Sequence, residues 1–190
     1  FLVHESVAEE FSEKLVAEFE KLNLGNGMDE GVTCGPLVES KALESIAALV
    51  DDAAEKGATI ATGGKRGDGA GYFYEPTVIT NVSRETRVAQ EEIFGPVAPI
   101  ITFSTEEEAL EIANDTIYGL TNYVQTQDGK RRNRLARALK SGMVETNGVG
   151  RGRGAAFGGV KASGRAREGG VWGLEEFMDS KQISGWDKDA

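Results

Sequence analysis

Residues 91–103, EEIFGPVAPIITF, join an acidic and aromatic corner to a run of apolar residues. The run VAPIITF at 97–103 is nearly continuous in apolar side chains, which predicts a strand buried on both faces. STEEEALEIANDT follows and predicts a helix that Ser104 opens, with Glu107 three residues later. GLTNYVQT predicts the next strand. A strand that alternates with a helix in this way is typical of βαβ units.

The chain on both sides continues this alternation. A basic helix is predicted from about Lys130 to Lys140 and a strand, MVETN, at 143–147. Upstream, FLVH predicts a strand, and ATIATGG and YFYEPTVITNV predict two more, with Pro76 marking an edge or the start of its strand. We therefore predict an α/β fold, with a mostly parallel sheet flanked by helices.

Two upstream helices have clear apolar stripes. The first spans 7–22, and Ser6 with Glu9 fits a capping box at its start. The second spans about 40–56 and ends at Gly57, which is suited to the left-handed position after a helix. The predicted buried faces are Val7, Phe11, Leu15, Phe19 and Leu22 on the first helix, and Leu43, Ile46, Leu49, Val50 and Ala53 on the second.

Composition excludes several classes of protein. The 190 residues include 39% hydrophobic ones and carry a net charge of −10, which argues against binding to nucleic acids or to an anionic membrane surface. No apolar run approaches the ~20 residues of a membrane span. The single cysteine, Cys34, permits no internal disulfide, and no signal peptide is recognisable. We expect a cytoplasmic protein.

The corner EEIFGPV allows two interpretations on its chemistry alone. A carboxylate can accept both hydrogen bonds of a ribose diol, and a Phe two residues further along points the same way if the backbone is extended. That Phe could wall an aromatic ring such as nicotinamide, and Gly95 and Pro96 would fix the turn. Alternatively, the corner is an acidic surface turn whose Phe belongs to the core.

The sequence changes character after Asn147. The stretch GVGRGRGAAFGGVKASGRAREGG at 148–170 is rich in glycine and shows almost no apolar periodicity. A loop of this length in a compact domain is typically functional or disordered. VWGLEEFMDSK then predicts a short helix, and QISGW predicts an extended terminal arm.

Three segments in this order resemble the aldehyde dehydrogenase superfamily. They are EEIFGPV at 91–97, NDTIYGLTNYVQT at 114–126 and AFGGVKASGRAREGG at 156–170. The resemblance covers nearly the whole chain. It implies the C-terminal part of an NAD- or NADP-dependent enzyme that oxidises a small-molecule aldehyde to a carboxylic acid through a cysteine thioester.

The resemblance also implies roles for individual residues. Glu92 would bind the ribose hydroxyls next to nicotinamide, and Phe94 would pack beside the nicotinamide ring. Phe157 would line the aldehyde tunnel, and Ser163 would lie near its mouth, where succinate-semialdehyde members hold the substrate carboxylate. Asn147 and the loop 148–156 would border the substrate entrance.

The glycine-rich segment departs from the family pattern. Ala156 replaces the usual proline before FGG, and Arg165 with Ala166 replaces an apolar residue and a glycine. The entrance loop also carries Arg151 and Arg153. These arginines are either solvated charges or a means of drawing in an anionic aldehyde, because guanidinium pairs bidentately with carboxylate. The second interpretation makes succinate semialdehyde the first substrate hypothesis.

The family nucleophile, its catalytic glutamate and the glycines that hold the pyrophosphate have no counterpart here. They would lie N-terminal to Phe1, so no catalytic residue is expected in this chain, which by itself should be inactive. We expect a catalytic-domain segment over 1–165 and a tail or oligomerisation arm over 166–190. Cys34 and His4 are expected to be structural, and no metal site is expected.

The predicted function is therefore part of an aldehyde dehydrogenase that forms a homodimer or homotetramer. Two alternatives remain. One is a non-catalytic cofactor-binding or structural relative that has the same fold. The other is an acidic α/β module with an unrelated ligand, which would require three ordered motifs to match by accident.

Overall fold

The computed structural model describes residues 1–189, and the chain divides into two compact units, Phe1–Ile112 and Ala113–Ala190. The elements of the first unit are β1 (Leu2–His4), α1 (Glu5–Phe19), α2 (Ser40–Glu55), β2 (Thr59–Thr62), β3 (Thr77–Thr80), α3 (Arg87–Gln90), β4 (Val97–Pro99), β5 (Ile101–Phe103) and most of α4 (Glu106–Asn114). Those of the second are β6 (Thr121–Val124), α5 (Gly129–Ala138), β7 (Met143–Thr146), a 3₁₀ turn at Lys161–Ser163 and α6 (Gly170–Glu175). No helix among residues 1–189 combines the length and the apolar character needed to cross a bilayer.

The strand pairings are mostly parallel. In the first unit β3 lies between β2 and β4, antiparallel to β2 and parallel to β4, and β1 pairs in parallel with β5. In the second unit β6 and β7 pair in parallel, with α5 between them in sequence. The predicted α/β fold is confirmed.

Strand β3 is covered by a helix on each face, because its successive side chains point in opposite directions. Ile79 packs into a cluster with the buried face of α2, while Val78 packs with Phe11 and Leu15 of α1. The five residues predicted to be buried on α2 are all buried. Each large aliphatic side chain in such a site contributes about 1.5–3 kcal/mol through burial.

The predicted end of α2 at Gly57 is also confirmed. Gly57 has a φ of 90°, in the left-handed region, and its N–H donates to the carbonyl of Ala54 at 3.0 Å. The N–H of Ala58 donates to the carbonyl of Ala53 at 2.9 Å. This pair of bonds is a Schellman motif, which satisfies two carbonyls that the helix leaves without partners.

The predicted cap of α1 is wrong. The helix begins at Glu5 instead of residue 7, and His4, not Ser6, is its N-cap, with Nδ1 accepting from the N–H of Ser6 at 3.2 Å. The His4 ring also packs edge-on against Phe103, with 5.5 Å between the ring centroids. Strand β1 therefore leads directly into the helix, and His4 is structural, as expected.

The capping box of α4 is displaced by one residue from the prediction. Thr105 Oγ1 accepts from the N–H of Glu108 at 3.1 Å, and the Glu108 carboxylate accepts from the N–H of Ser104 at 2.8 Å. The Ser104 hydroxyl instead donates to the carboxylate of Glu5 at 2.7 Å. Because that contact with α1 occupies Ser104, the next hydroxyl caps the helix.

The prediction of one strand buried on both faces over the apolar run 97–103 is wrong, because the run forms the two short strands β4 and β5. The N–H of Ile100 donates to Ile79 at 2.8 Å, whereas the N–H of Ile101 donates to Phe1 at 2.9 Å. The segment thus passes from pairing with β3 to pairing with β1, just after Pro99, which has no N–H to donate. Only Ala98 and Ile100 are fully buried.

The second unit becomes irregular after β7. Residues 148–169 contain only isolated bridges and the 3₁₀ turn. The predicted short helix is confirmed as α6, but residues 182–186 contain a turn at 184–185 instead of an extended arm. None of the described strands pairs with this segment, so nothing there holds it extended.

Candidate functional site

The two acids of the corner have different surroundings. Glu91 follows α3, and its carboxylate binds Arg87 through both oxygens, with Oε1–Nε at 2.6 Å and Oε2–Nη2 at 3.0 Å. The hydrogen bonds from Arg87 hold the pKa of Glu91 below its usual range. The backbone N–H of Arg87 in turn donates to Asp52 of α2 at 2.8 Å. Glu91 therefore fastens the corner to the body of the unit.

Glu92 is exposed, and its carboxylate has no hydrogen bond or ion pair with the chain described here, residues 1–189. Sequence reasoning selected Glu92 from the pair only through the family resemblance. The structure adds a physical distinction, because one acid is used within the fold and the other keeps all its acceptor positions for a ligand.

Phe94 is held in an unusual conformation at the tip of the corner. Its φ is 51°, in the left-handed region, and the residue is 83% exposed. The backbone is thus not extended at Phe94, which was the condition for its side chain to point the same way as that of Glu92, and the alternative that Phe94 belongs to the core of its unit is wrong. A bulky residue in this region costs of order 1–3 kcal/mol, and such strain clusters at functional sites.

Packing beneath the corner explains how this strain is maintained. Gly95 lies so close to α2 that an added Cβ would sit 2.1 Å from Cδ1 of Ile46, which is buried. The carbonyl of Pro96 accepts from the N–H of Thr77 at 2.8 Å, at the start of β3. The residues after Phe94 are therefore fixed to a helix and a strand, and the ring is held outward.

In the second unit, Asn147 joins the chain segments that follow β6 and β7. Its φ is 52°, its Oδ1 accepts from the N–H of Thr126 at 2.9 Å, and its Nδ2 donates to the carbonyl of Thr126 at 3.0 Å. The amide thus pairs with both backbone groups of one residue. This contact sets where the loop 148–156 begins, at the carboxyl ends of two parallel strands.

Phe157 is half-buried and lies in a short backbone ladder. Its N–H and its carbonyl both pair with Glu168, each at 2.8 Å. The guanidinium carbon of Arg151 lies 4.9 Å from the centre of the Phe157 ring, a cation–π contact. Arg153 and Arg165 are exposed, and neither guanidinium has a partner among the described residues. Two of the predicted substrate residues, Arg151 and Phe157, are therefore in contact.

Ser163 has a structural contact that sequence reasoning did not anticipate. Its hydroxyl oxygen accepts from the N–H of Gly119 at 3.0 Å, so it ties the third family motif to the second. The hydroxyl retains its own proton for donation to another group. Its predicted role at the tunnel mouth stays a prediction.

Sequence reasoning also missed Arg167. Its Nη1 donates to the carbonyls of Gly159, Arg165 and Ala166 at 2.7, 2.8 and 3.1 Å, and its backbone N–H donates to Glu176 at 2.9 Å. A glycine-rich loop has few side chains to hold it in place, and the five N–H donors of one arginine can bind several of its carbonyls. That signal was present in the sequence.

Cys34 has none of the surroundings of an activated thiol. Burial raises the pKa of its thiol, and the sulfur lies 3.9 Å from the carbonyl of Gly35. A raised pKa disfavours the thiolate that a nucleophile needs. The expectation that Cys34 is structural agrees with this environment. A cavity of about 370 Å³ in the same unit, lined by Phe19, Thr62, Phe73 and Pro76 among others, shares no residue with the corner.

Comparison with known proteins places this geometry in a family. The aldehyde dehydrogenase family model matches residues 1–183. A succinate-semialdehyde dehydrogenase from Paenarthrobacter nicotinovorans is 45% identical over 184 residues, which cover 96% of this chain and 41% of that protein. The chain therefore belongs to the aldehyde dehydrogenase family and spans about two fifths of the length of this curated relative.

Solved structures agree with the fold. The crystal structure of an aldehyde dehydrogenase from Bartonella henselae matches with a TM-score of 0.93 at 44% identity and covers 97% of this chain and 40% of that one. Betaine aldehyde dehydrogenase from Staphylococcus aureus in complex with NAD⁺ matches with a TM-score of 0.88 at 40% identity, over 98% of this chain and 40% of that one.

Proposed function

We propose that the protein carrying this chain oxidises an aldehyde to its carboxylic acid with NAD or NADP as the hydride acceptor. The observation that carries this proposal is the division of the acidic pair at the corner. Glu91 is bound by Arg87, whereas Glu92 is exposed and unpaired among residues 1–189, next to an aromatic ring held outward. A fold that needed only a turn would have no reason to strain Phe94.

The corner fits the nicotinamide half of the cofactor. When bound, NAD or NADP supplies the acceptor for the hydride that leaves the aldehyde carbon. The Glu92 carboxylate can accept a hydrogen bond from each of the two ribose hydroxyls, since its two oxygens match the two donors. Phe94, two residues further along the chain, offers an exposed ring. These residues would orient the cofactor, and neither of them would exchange a proton with the substrate.

A carboxylate-bearing aldehyde is the proposed substrate class, with succinate semialdehyde as the first candidate. The named substrates of the two relatives carry opposite charges, because a succinate semialdehyde is an anion and betaine aldehyde a cation. Family membership alone therefore does not fix the charge that is preferred. Arg151, Arg153 and Arg165 favour the anion, since guanidinium groups bind carboxylates through two parallel hydrogen bonds.

The negative net charge of the chain bears on the role of these arginines in binding an anionic substrate. The chain has a net charge of −10. Positive charges at the substrate entrance would offset the repulsion between such a surface and an anionic substrate. Arg151 lies over the Phe157 ring, and its in-plane N–H groups can still bind a carboxylate while its face contacts the ring.

The remaining parts of the proposal concern organisation. We assign residues 1–165 to the catalytic domain and 166–190 to a tail that contributes to the interface of a homodimer or homotetramer. Its exposed apolar side chains, which include Trp172, Phe177 and Trp186, support such a role. We also propose a cytoplasmic location.

Turnover by the intact protein tests the proposal. Reduction of NAD⁺ and NADP⁺ would be followed with succinate semialdehyde and with an uncharged aldehyde of equal length. We expect turnover with at least one cofactor and a preference for the anionic aldehyde. A folded intact protein that oxidises neither aldehyde with either cofactor would instead be the non-catalytic cofactor-binding or structural relative with the same fold.

Substitution of the arginines by glutamine, one at a time, tests the substrate class. An arginine at an exposed rim is worth only about 0.2–1 kcal/mol, whereas an enclosed one contributes more. We expect at least one of R151Q, R153Q and R165Q to raise the KM of the anionic aldehyde several-fold and to leave the neutral one unchanged. R137Q, an exposed arginine of α5, is the matched control. Equal small changes for both aldehydes would leave a general aldehyde as the substrate.

A further inference from the structure

Lys161 lies in the third family motif but differs from an ordinary surface lysine. Its Nζ donates to the carbonyl of Asn114 at 2.9 Å and to that of Thr116 at 3.0 Å. The residue is half-buried, and its ammonium has no carboxylate partner within residues 1–189. Two of its three donors are therefore committed to the backbone of the second family motif.

The carbonyl of Asn114 explains why a cation suits this place. Asn114 is the last residue of α4, and the final carbonyls of a helix have no partner within it. A positive charge there also complements the negative end of the helix dipole. The Lys161 ammonium therefore completes the end of α4.

The backbone of Lys161 is strained at the same point. Its φ is 55°, in the left-handed region, where residues with a Cβ are uncommon. On either side of it, Val160 N–H donates to Gly119 and Ala162 N–H donates to Ile117, both at 2.9 Å. The left-handed turn lets neighbouring backbone groups and the Lys161 side chain all reach the segment 114–119.

Lys161, which makes these contacts with segment 114–119, lies four residues after Phe157 in the sequence. Between them, Gly158 packs so tightly that a Cβ added to Gly142 would sit 1.9 Å from the Gly158 carbonyl oxygen. On its other side Phe157 is paired with Glu168. Phe157, whose ring contacts Arg151, thus lies between its backbone pairing with Glu168 and the hydrogen bonds that Lys161 makes to segment 114–119.

We infer that Lys161 is a positioning residue for the aldehyde: its ammonium locks segment 157–163 onto segment 114–119 and so fixes Phe157 and the arginine that packs on it. This inference rests on the proposed function, because Phe157 is assigned to the substrate tunnel. Because the lock holds the segment that carries Phe157, its loss should raise the KM of the aldehyde and leave the KM of the cofactor unchanged.

The test uses four variants of the intact protein. K161M removes the ammonium and keeps a chain of similar length. K161G also removes it but relieves the left-handed strain, and K161R restores a cation that can donate to two carbonyls. K130M, an exposed lysine of α5, is the matched control. Amide hydrogen exchange over 114–119 and 157–163 is measured beside the KM values of aldehyde and cofactor.

In K161M and K161G we expect the amide hydrogens of segments 114–119 and 157–163 to exchange at least tenfold faster than in the parent and in K130M. Both should raise the KM of the aldehyde several-fold with the KM of the cofactor unchanged, and K161R should recover most of the difference. Recovery in K161G alone would mean that backbone strain, and not the ammonium, matters, which would overturn the inference.

Other outcomes separate this inference from the function on which it rests. Unchanged exchange in K161M would overturn the proposed lock whatever the activity. Faster exchange with an unchanged aldehyde KM, or with equal rises for aldehyde and cofactor, would overturn the positioning role. If K161M does not fold, K161Q, which keeps one donor group, replaces it, with the same two criteria. A parent protein that turns over no aldehyde would refute the proposed function, and the exchange data would still decide the lock.

Discussion

The corner at 91–97 is held by packed side chains, whereas the segment at 148–169 is held by backbone hydrogen bonds. Under the corner, Gly95 touches buried Ile46, and Arg87 grips Glu91 through both carboxylate oxygens. In the other segment Phe157 pairs with Glu168, and Arg167 gathers three carbonyls. A well-packed unit can hold the strained Phe94 outward through a few contacts, whereas the glycine-rich segment needs several hydrogen bonds to hold Phe157 in place.

The comparison suggests a difference in tolerance. The corner depends on a few close contacts with a core that cannot move, so single changes there should be felt strongly. In the loop 148–156, Gly150 and Gly152 have open space around them and no positive φ, so changes at these two glycines should be absorbed. Changes should be costly where one glycine segment packs on the backbone of another.

The largest effect is expected at such a meeting place. G142A would put a Cβ 1.9 Å from the carbonyl oxygen of Gly158, and both partners are backbone. We expect a loss of about 3 kcal/mol or more of unfolding free energy, at the upper end for overpacked sites. Urea denaturation would measure it.

G150A is the matched control, because nothing lies within 4 Å of the added Cβ and its φ is not positive. It should change stability by less than about 0.5 kcal/mol. If G142A were as mild as G150A, the close approach of the two segments would be refuted.

A somewhat smaller effect is expected at the corner. G95A would place a Cβ 2.1 Å from Cδ1 of Ile46, a side chain that is 1% exposed and can shift only against its neighbours in the core. Overpacking of this kind costs about 1–3 kcal/mol. I46V removes the obstructing methyl group, so the double variant should recover part of the loss, as a double-mutant cycle would show. Strictly additive effects would mean that the two residues do not meet.

Two substitutions of Phe94 test its backbone strain and its role in cofactor binding separately. Asn tolerates the left-handed region better than other residues that carry a Cβ, because its side chain can hydrogen-bond locally, and that region costs roughly 1–2 kcal/mol for an ordinary residue. F94N should therefore be more stable than F94A by up to about 1 kcal/mol in thermal unfolding, while both bind the cofactor more weakly. Equal stability of the two variants would indicate that Phe94 is not strained.

The smallest effect concerns pH. The pKa of Glu91 is lowered by Arg87, so their pairing stabilises the fold above the usual glutamate pKa of about 4.3 and is lost as pH falls through the lowered value. E91Q removes this dependence. Unfolding midpoints measured between neutral and acidic pH should fall slightly less steeply for E91Q than for the parent. Parallel curves would show that the pair contributes nothing.

Much of this fold follows from patterns in the sequence. The buried face of α2 and its end at Gly57 were predictable because amphipathic spacing and a left-handed glycine are local signals. The caps at His4 and Thr105 were not, because each depends on contacts with distant residues, Phe103 in one case and Glu5 in the other. The split of 97–103 likewise depends on which strand lies on each side.

The candidate site shows the same division. The motifs identified Glu92 and Phe157, but sequence reasoning missed the distinction between the two acids, although Arg87 stands four residues before Glu91, the spacing at which side chains pair on a helix. The left-handed backbone at Phe94 and Lys161 could not be predicted, since neither residue type favours it. Such strain is imposed by surrounding structure, and it marked the places that local rules missed.

An equilibrium titration of the intact protein with NAD⁺ and with NADP⁺, comparing E92Q with E91Q, tests the assignment of Glu92 most directly. We predict that E92Q weakens binding of whichever cofactor the parent prefers by about 1.5–3 kcal/mol, the value of a hydrogen bond to a charged group, and leaves the unfolding midpoint unchanged. E91Q should lower the midpoint more than it lowers affinity, and E107Q, an exposed acid of α4, should change neither. Equal cofactor affinity in the parent and E92Q would contradict the assignment of Glu92 to the ribose.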